Sequence, residues 1–568
     1  MTATTAPIRR QPTAVDAVAE AHVARLAELS PEFAVYNGLP GRRGALDDHS
    51  PAGLAALTEL SRATLRSLDQ LQPADDVDRV TLAAMRERLG LELELAEAGE
   101  NLRVLNNIAS PAQSVRDLFD NLPTDTVGDW ETFASCLRAV PGALKGYLSA
   151  LGEAASRGDV AARRQVAAVI AQARDQAEAS TSSYSVLTAQ PTTGDGTTLP
   201  ASLTEELREA AAAARAGYAT FAEQLERELL PQAPTEDAVG RERYQRFSRE
   251  FLGATVDLDE TYEWGRERLA AIDAEQRQIA AELYGPGTTV RQALERLNAD
   301  PSRLVHGTQA LQEWMQATSD AAIAALDGTH FDIPSPLRTL ECRIAPSQTG
   351  GIYYTGPSDD FSRPGRMWWS VPAGTADFAT WQERTTVFHE GVPGHHLQCG
   401  MQTFLREELN SWRRLACWVS GHGEGWALYA ERLMADLGFQ ADPGDRFGML
   451  DSQRLRAARV VLDIGVHLGK ERPAELAGLP GVGEGRWDAE SAWAFLRHNV
   501  AMSEGFLRFE LDRYLGWPGQ APSYAIGQRL WEQTRDAALA GGSSLKEFHM
   551  RALRLGSVGL EVLRQALA

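Results

Sequence analysis

Apolar residues recur three and four positions apart along most of this chain, the spacing of a helix that turns one face inward. Segments 15–29, 80–97, 161–179 and 203–229 carry the pattern most plainly. They are built from Ala, Leu, Glu, Arg and Gln, the residues that enter a helix at least cost. No a/d heptad persists long enough for a coiled coil. Segment 192–199 (Thr-Thr-Gly-Asp-Gly-Thr-Thr-Leu) is a loop by composition, after which helical spacing resumes to about residue 327. The pattern changes in 337–372. There Ile352-Tyr353-Tyr354 and Met367-Trp368-Trp369-Ser370-Val371 are aromatic and β-branched runs bounded by Pro and Gly, which predicts short strands forming a hairpin. From Thr380 to the C-terminus helices dominate again, and no repeat of fixed period is present. The expectation is a mainly α protein with one small sheet, divided into an N-terminal helical half (1–250) and a catalytic half (251–568).

The chain has 568 residues, 43% of them hydrophobic, enough for a large core and more than one domain. Its formal net charge of -21 argues against nucleic acid or an anionic membrane as partner. Acidity on this scale chiefly serves solubility. Four cysteines, Cys136, Cys342, Cys399 and Cys417, make neither a disulfide framework nor a C-x-x-C zinc site. The N-terminus lacks the apolar run of a secretory signal, and no stretch approaches the roughly 18 apolar residues of a membrane span. A cytoplasmic, reducing location is expected.

The chemistry concentrates at His389-Glu390-Gly391-Val392-Pro393-Gly394-His395-His396. In the motif H-E-x-x-H, two histidines one helical turn apart bind Zn²⁺ and the glutamate beside the first is the general base. Here proline stands at 393, where the second histidine would fall. Six residues of regular helix turn by about 600°, carrying His395 to another face; seven place His396 about 10.5 Å along the axis. Nitrogens sharing a zinc at about 2.0–2.1 Å must be far closer. Pro393-Gly394 supplies the irregularity, and a bulge absorbing two residues would return His395 to the ligand position. His395 is therefore preferred, with His396 the alternative. The third ligand is sought in Gly421-His-Gly-Glu-Gly-Trp-Ala-Leu-Tyr-Ala-Glu431, where Glu424 and Glu431 share a helix face. Glu424 is the candidate ligand and Glu431 the candidate carboxylate that orients a ligand histidine. His422 is a weaker ligand candidate.

Taken together, H-E-x-x-P-G-H-H at 389–396 and E-G-W-A-L-Y-x-E at 424–431 resemble the domain-of-unknown-function family 885. So do R-x-x-x-D-x-G-x-H at 459–467, P-G-Q-A-x-x-Y-x-x-G at 518–527, and Phe548-His549 followed by Gly556-Ser-Val-Gly-Leu560, where Gly559 replaces a frequent proline. The resemblance implies a large helical, zincin-like (neurolysin-like) architecture, similar to zinc peptidases of the thimet oligopeptidase, angiotensin-converting enzyme and carboxypeptidase Taq kind, with a deep channel between two helical halves. The spaced H-E…H is also similar to that of dipeptidyl peptidase III.

The reading that follows is a hydrolase with one zinc on His389, His395 and Glu424, acting on a peptide or small amide-like substrate. Glu390 is the general base. Tyr524 is the first candidate for a second electrophile at the oxyanion, and His467, one turn from Asp463, a candidate contact to substrate or oxyanion. Tyr353 and Tyr354 would suit a strand edge that pairs with an extended peptide. Two alternatives stand beside it: a zinc lyase or amidase on a small metabolite, and a non-catalytic peptide-binding metalloprotein. Glu390 discriminates against the last, since a binding module needs no base beside an open metal position.

Overall fold

The structure is a computed structural model and describes residues 9–346 and 351–568. The expected helices form with ends displaced by a few residues: Ala14–Leu29, Asp76–Glu97, Arg163–Ala177 and Ala201–Gln224, the last running on through a wider turn at Leu225–Leu229. Their starts are written locally. Thr13 accepts from the Asp16 amide while the Asp16 carboxylate answers the Thr13 amide, and Asp75 caps the Asp78 amide, satisfying donors that a helix start leaves free.

The predicted hairpin is present. Ile352–Thr355 pairs antiparallel with Gly365–Trp369. Leu340–Ile344 adds on the far side, parallel to Gly365–Trp369, so the hairpin's first strand keeps a free edge among the described residues. Sequence reading missed this third strand, and also the two-stranded pairing of Leu304–His306 with Asp377–Ala379. These strands are short and their partners lie far away in the chain, so local patterning is weak there.

The core does not divide at residue 250. Residues such as Val15, Val23, Val80, Met85 and Leu89 are buried in one cluster with Tyr244, Trp381, Trp426, Val460 and Leu563. A second cluster gathers Phe133, Leu137, Tyr147, Val166, Tyr218 and Phe221. The first N-terminal helices therefore share a core with residues 251–568, across the expected boundary at 250, while residues between Leu46 and Ala233 gather around a second one. Each large apolar side chain so buried contributes roughly 1.5–3 kcal/mol.

Two close helix crossings shape the site. Helix Ser420–Asp436 packs on helix Ser523–Ala540 through Gly421, Gly425 and Gly527. A Cβ on Gly425 would stand 2.5 Å from the Gly527 carbonyl carbon, a separation only glycine permits. Helix Pro443–His467 lies along Thr380–Glu390 in a similar way, with Gly448 against the Trp381 backbone. Among the described residues no helix is long and apolar enough to cross a membrane. The first eight residues, where a signal segment was sought, lie outside the described part.

Candidate metal centre

Helix Thr380–Glu390 ends on its own motif, and a new helix, His395–Phe404, starts at the next histidine. Residues 391–394 carry the chain between them, with a cis peptide at Val392-Pro393. The expected bulge inside one continuous helix is thus corrected to a complete break. Its closure depends on glycine: a Cβ on Gly394 would lie 1.9 Å from the His389 carbonyl oxygen and 2.5 Å from that of Phe388. The Gly394 amide donates to the Phe388 carbonyl (3.1 Å), the His396 amide to that of Gly391 (3.1 Å), and Trp426 Nε1 to that of Pro393 (2.8 Å).

The break brings His395 back to His389. Their rings stand perpendicular, centroids 4.9 Å apart, and one donor atom from each of His389, Glu390 and His395 lies within 4.8 Å of the others. Glu424 closes the set: its Oε2 is 3.3 Å from His389 Nε2 and 3.5 Å from His395 Nε2. Ligands at 2.0–2.1 Å from a tetrahedral ion are about 3.3–3.4 Å apart along each edge, so these separations leave room for a shared ion. On that ground Glu424 fits as the third ligand, and Glu390 is the carboxylate left beside it. The donor set, two imidazoles and a carboxylate, suits a divalent transition metal, zinc foremost.

Glu431 stands behind His389 as the spacing suggested. Its Oε1 accepts from His389 Nδ1 at 2.8 Å, which turns Nε2 toward Glu424. Its Oε2 accepts from Thr385 (2.8 Å) and Ser452 (3.2 Å), and Arg456 in turn donates to the Ser452 hydroxyl at 2.8 Å. Ser452 and Arg456 carried no signal in the sequence. Thr385 did, being one helical turn before His389 and so on its face.

His396 is held elsewhere. Its Nε2 donates to the Leu337 carbonyl (2.9 Å), its Nδ1 lies 3.1 Å from the Tyr354 hydroxyl, and its ring is fully buried. His422 is likewise outside the set, with Nδ1 at 3.2 Å from Gln398 and its pKa lowered to about 3 by burial. His467 is corrected: it reaches no solvent, and its Nε2 donates to the Tyr514 carbonyl at 2.9 Å, so it cannot touch substrate. Its neighbour Asp463 accepts from Tyr244 (2.7 Å) and from the Gly519 amide (2.9 Å), pinning the turn that precedes Tyr524. Tyr524 is half-buried with the Arg459 guanidinium 5.1 Å from its ring centre. Burial and then the charge of Glu424 push its pKa up, which keeps the phenol protonated. Burial also raises Glu390, against the pull of His395 and His389. Tyr353 is exposed and stacked on Trp368 at the free strand edge, whereas Tyr354 turns inward to His396.

A helical chain with two histidines on either side of a helix break, a glutamate beside them and a second carboxylate from a neighbouring helix defines a candidate metalloprotein of the H-E…H kind. Residues 31–567 match the family model described as bacterial protein of unknown function (DUF885), and the chain belongs to that family. The sequence matches none of the curated proteins. Two solved structures share the fold. One, described as the "putative lipoprotein" from Colwellia psychrerythraea, is 21% identical with TM-score 0.80, over 97% of this chain and 98% of that one. The other, described as a "putative lipoprotein of unknown function" from Shewanella oneidensis, is 15% identical with TM-score 0.74, over 98% and 99%.

Proposed function

We propose that this protein is a zinc-dependent hydrolase that cleaves a peptide-like amide bond. The observation that carries the reading is Glu390, a buried carboxylate within 4.8 Å of donor atoms of His389 and His395, with Glu424 3.3 and 3.5 Å from the same two histidines. His389, His395 and Glu424 would hold the ion. A bound zinc would supply Lewis acidity, lowering the pKa of water toward 7 and polarising the scissile carbonyl. Glu390 takes the proton from the attacking water and passes it to the leaving amine; its raised pKa brings it nearer the range where it can do both. The protonated Tyr524 hydroxyl donates toward the oxygen on which charge develops. The free edge of strand Ile352–Thr355 offers backbone groups to an extended substrate. The test is elemental analysis, expected to find close to one zinc per chain, together with cleavage of a peptide library. Protein that neither carries nor takes up zinc would end this reading.

Glu431→Gln is expected to weaken zinc affinity by roughly 10–100-fold while the fold persists, because the His389 ring loses the acceptor that fixes its tautomer. Competition with a chelator measures it, and unchanged affinity would show that Glu431 does not orient the ligand.

Zinc affinity should also rise with pH. Burial lowers the His389 pKa, but Glu424 and Glu431 more than reverse this and raise it to about 10 in the metal-free protein. Below that pH the imidazole holds a proton that zinc must displace. The apparent affinity is then expected to gain about tenfold per pH unit over roughly pH 6–9, for one proton released. A pH-independent affinity would remove His389 from the ligand set.

A further inference from the structure

Beside Glu424 lies a cavity of about 310 Å³. Arg88 and Glu92 on helix Asp76–Glu97 form one wall, Glu250 on helix Arg241–Leu252 another, and Trp418 and Gln520 border the metal side. A second cavity of about 450 Å³ shares Leu95, Glu250, Phe251 and Trp517 with the first. The space therefore runs outward from the metal centre between elements of the N-terminal segment and the catalytic half.

The charges on this wall are unequal. Arg88 pairs with both oxygens of Glu87 and donates to the carbonyls of Glu250 (2.7 Å) and Arg249 (3.1 Å). Glu92 accepts from Ser61 at 2.7 Å and from no other described residue. The Glu250 carboxylate borders the cavity with no hydrogen bond or ion pair to any described side chain, though its own backbone carbonyl is taken by Arg88. Burial pushes the Glu250 pKa up to about 7 against the pull of Arg88, with the charge of Glu92 adding to it; Glu92, part of which reaches solvent, is raised too, against Ser61 and Arg88. Two carboxylates thus face one cation, Arg88, whose charge Glu87 already pairs, and a cation brought by a ligand relieves both.

We propose that this cavity receives a cationic group of the substrate, a free α-amine or a lysine or arginine side chain, with Glu250 and Glu92 as its counter-charges. The proposal rests on the hydrolase reading and deepens it: the substrate is peptide-like and carries a positive charge close to the bond held at Glu424. A substrate carboxylate is disfavoured here because Glu92 and Glu250 line the cavity and the Arg88 charge is already paired with Glu87. The net charge of -21 also favours approach of cations.

The test is equilibrium binding to zinc-loaded Glu390→Gln protein, so that recognition is read without turnover. The probes are Ala-Ala-Ala with a free amino terminus, its N-acetyl form, and N-acetyl-Ala-Lys-Ala. At least one cationic probe is expected to bind about tenfold or more tighter than N-acetyl-Ala-Ala-Ala, and the stronger of the two identifies α-amine or side chain as the source of the charge. Adding Glu250→Gln should remove most of that difference. Glu92→Gln should remove part of it and serves as the second variant if the first does not fold, with circular dichroism and zinc content as the controls. Equal binding of neutral and cationic probes, a preference unchanged in both variants, or no binding by any probe overturns the proposal. Failure of the wild-type protein to cleave any peptide would count against the hydrolase reading alone, because the binding comparison does not depend on turnover.

Discussion

His395→Ala is expected to abolish zinc binding, while His396→Ala keeps a stoichiometry near one per chain. The two residues are adjacent, and only their hydrogen bonds separate them. His395 Nε2 faces Glu424 at 3.5 Å and its ring is perpendicular to that of His389. Removing one of three ligands should lower affinity well beyond the roughly 10–100-fold expected for a residue that only orients a ligand. His396 has both nitrogens turned to Leu337 and Tyr354. Its loss strands a buried carbonyl and hydroxyl, so His396→Ala should instead destabilise the fold by about 1–3 kcal/mol. Metal-buffered titration and thermal denaturation of the two variants read these effects separately. Tight zinc binding by His395→Ala with loss in His396→Ala would reverse the assignment.

Glu390→Gln should bind zinc like the wild type, keep its melting temperature, and lose turnover by roughly 10²–10⁴-fold. The amide is close to the carboxylate in size, so packing of this buried position is preserved. What disappears is the ability to accept a proton. His389→Ala or Glu424→Ala should abolish turnover by a different route, through loss of the metal, and added zinc distinguishes the two routes because neither it nor any other divalent ion can rescue Glu390→Gln. Full turnover by Glu390→Gln on a substrate the wild type cleaves would assign the base elsewhere.

Much of this molecule was legible in one dimension because the physics that forms helices is local. Capping at Thr13 and Asp75, the apolar spacing of the long helices and the aromatic runs of the hairpin each act within a few residues. Pro393-Gly394 announces an interruption for the same reason: one lacks an amide proton and the other alone tolerates carbonyl oxygens packed where a Cβ would be. Candidate ligands followed from residue type and order.

What the sequence could not decide is where a buried imidazole finds its second partner. His396 is held by Leu337, 59 residues before it, and by Tyr354, 42 before it; His389 is oriented by Glu431, 42 residues after it. The helical spacing of Asp463 and His467 suggested a shared site, yet the Tyr514 carbonyl, 47 residues on, captures the histidine. Likewise Glu424 reaches the histidines because its helix, seated on Ser523–Ala540 through glycines, also packs against the distant helix Thr380–Glu390. Residue type limits what each side chain can bind, but packing alone sets which donors and acceptors stand within 3 Å of it, and that distance separates a ligand at the metal centre from a histidine that merely ties the core together.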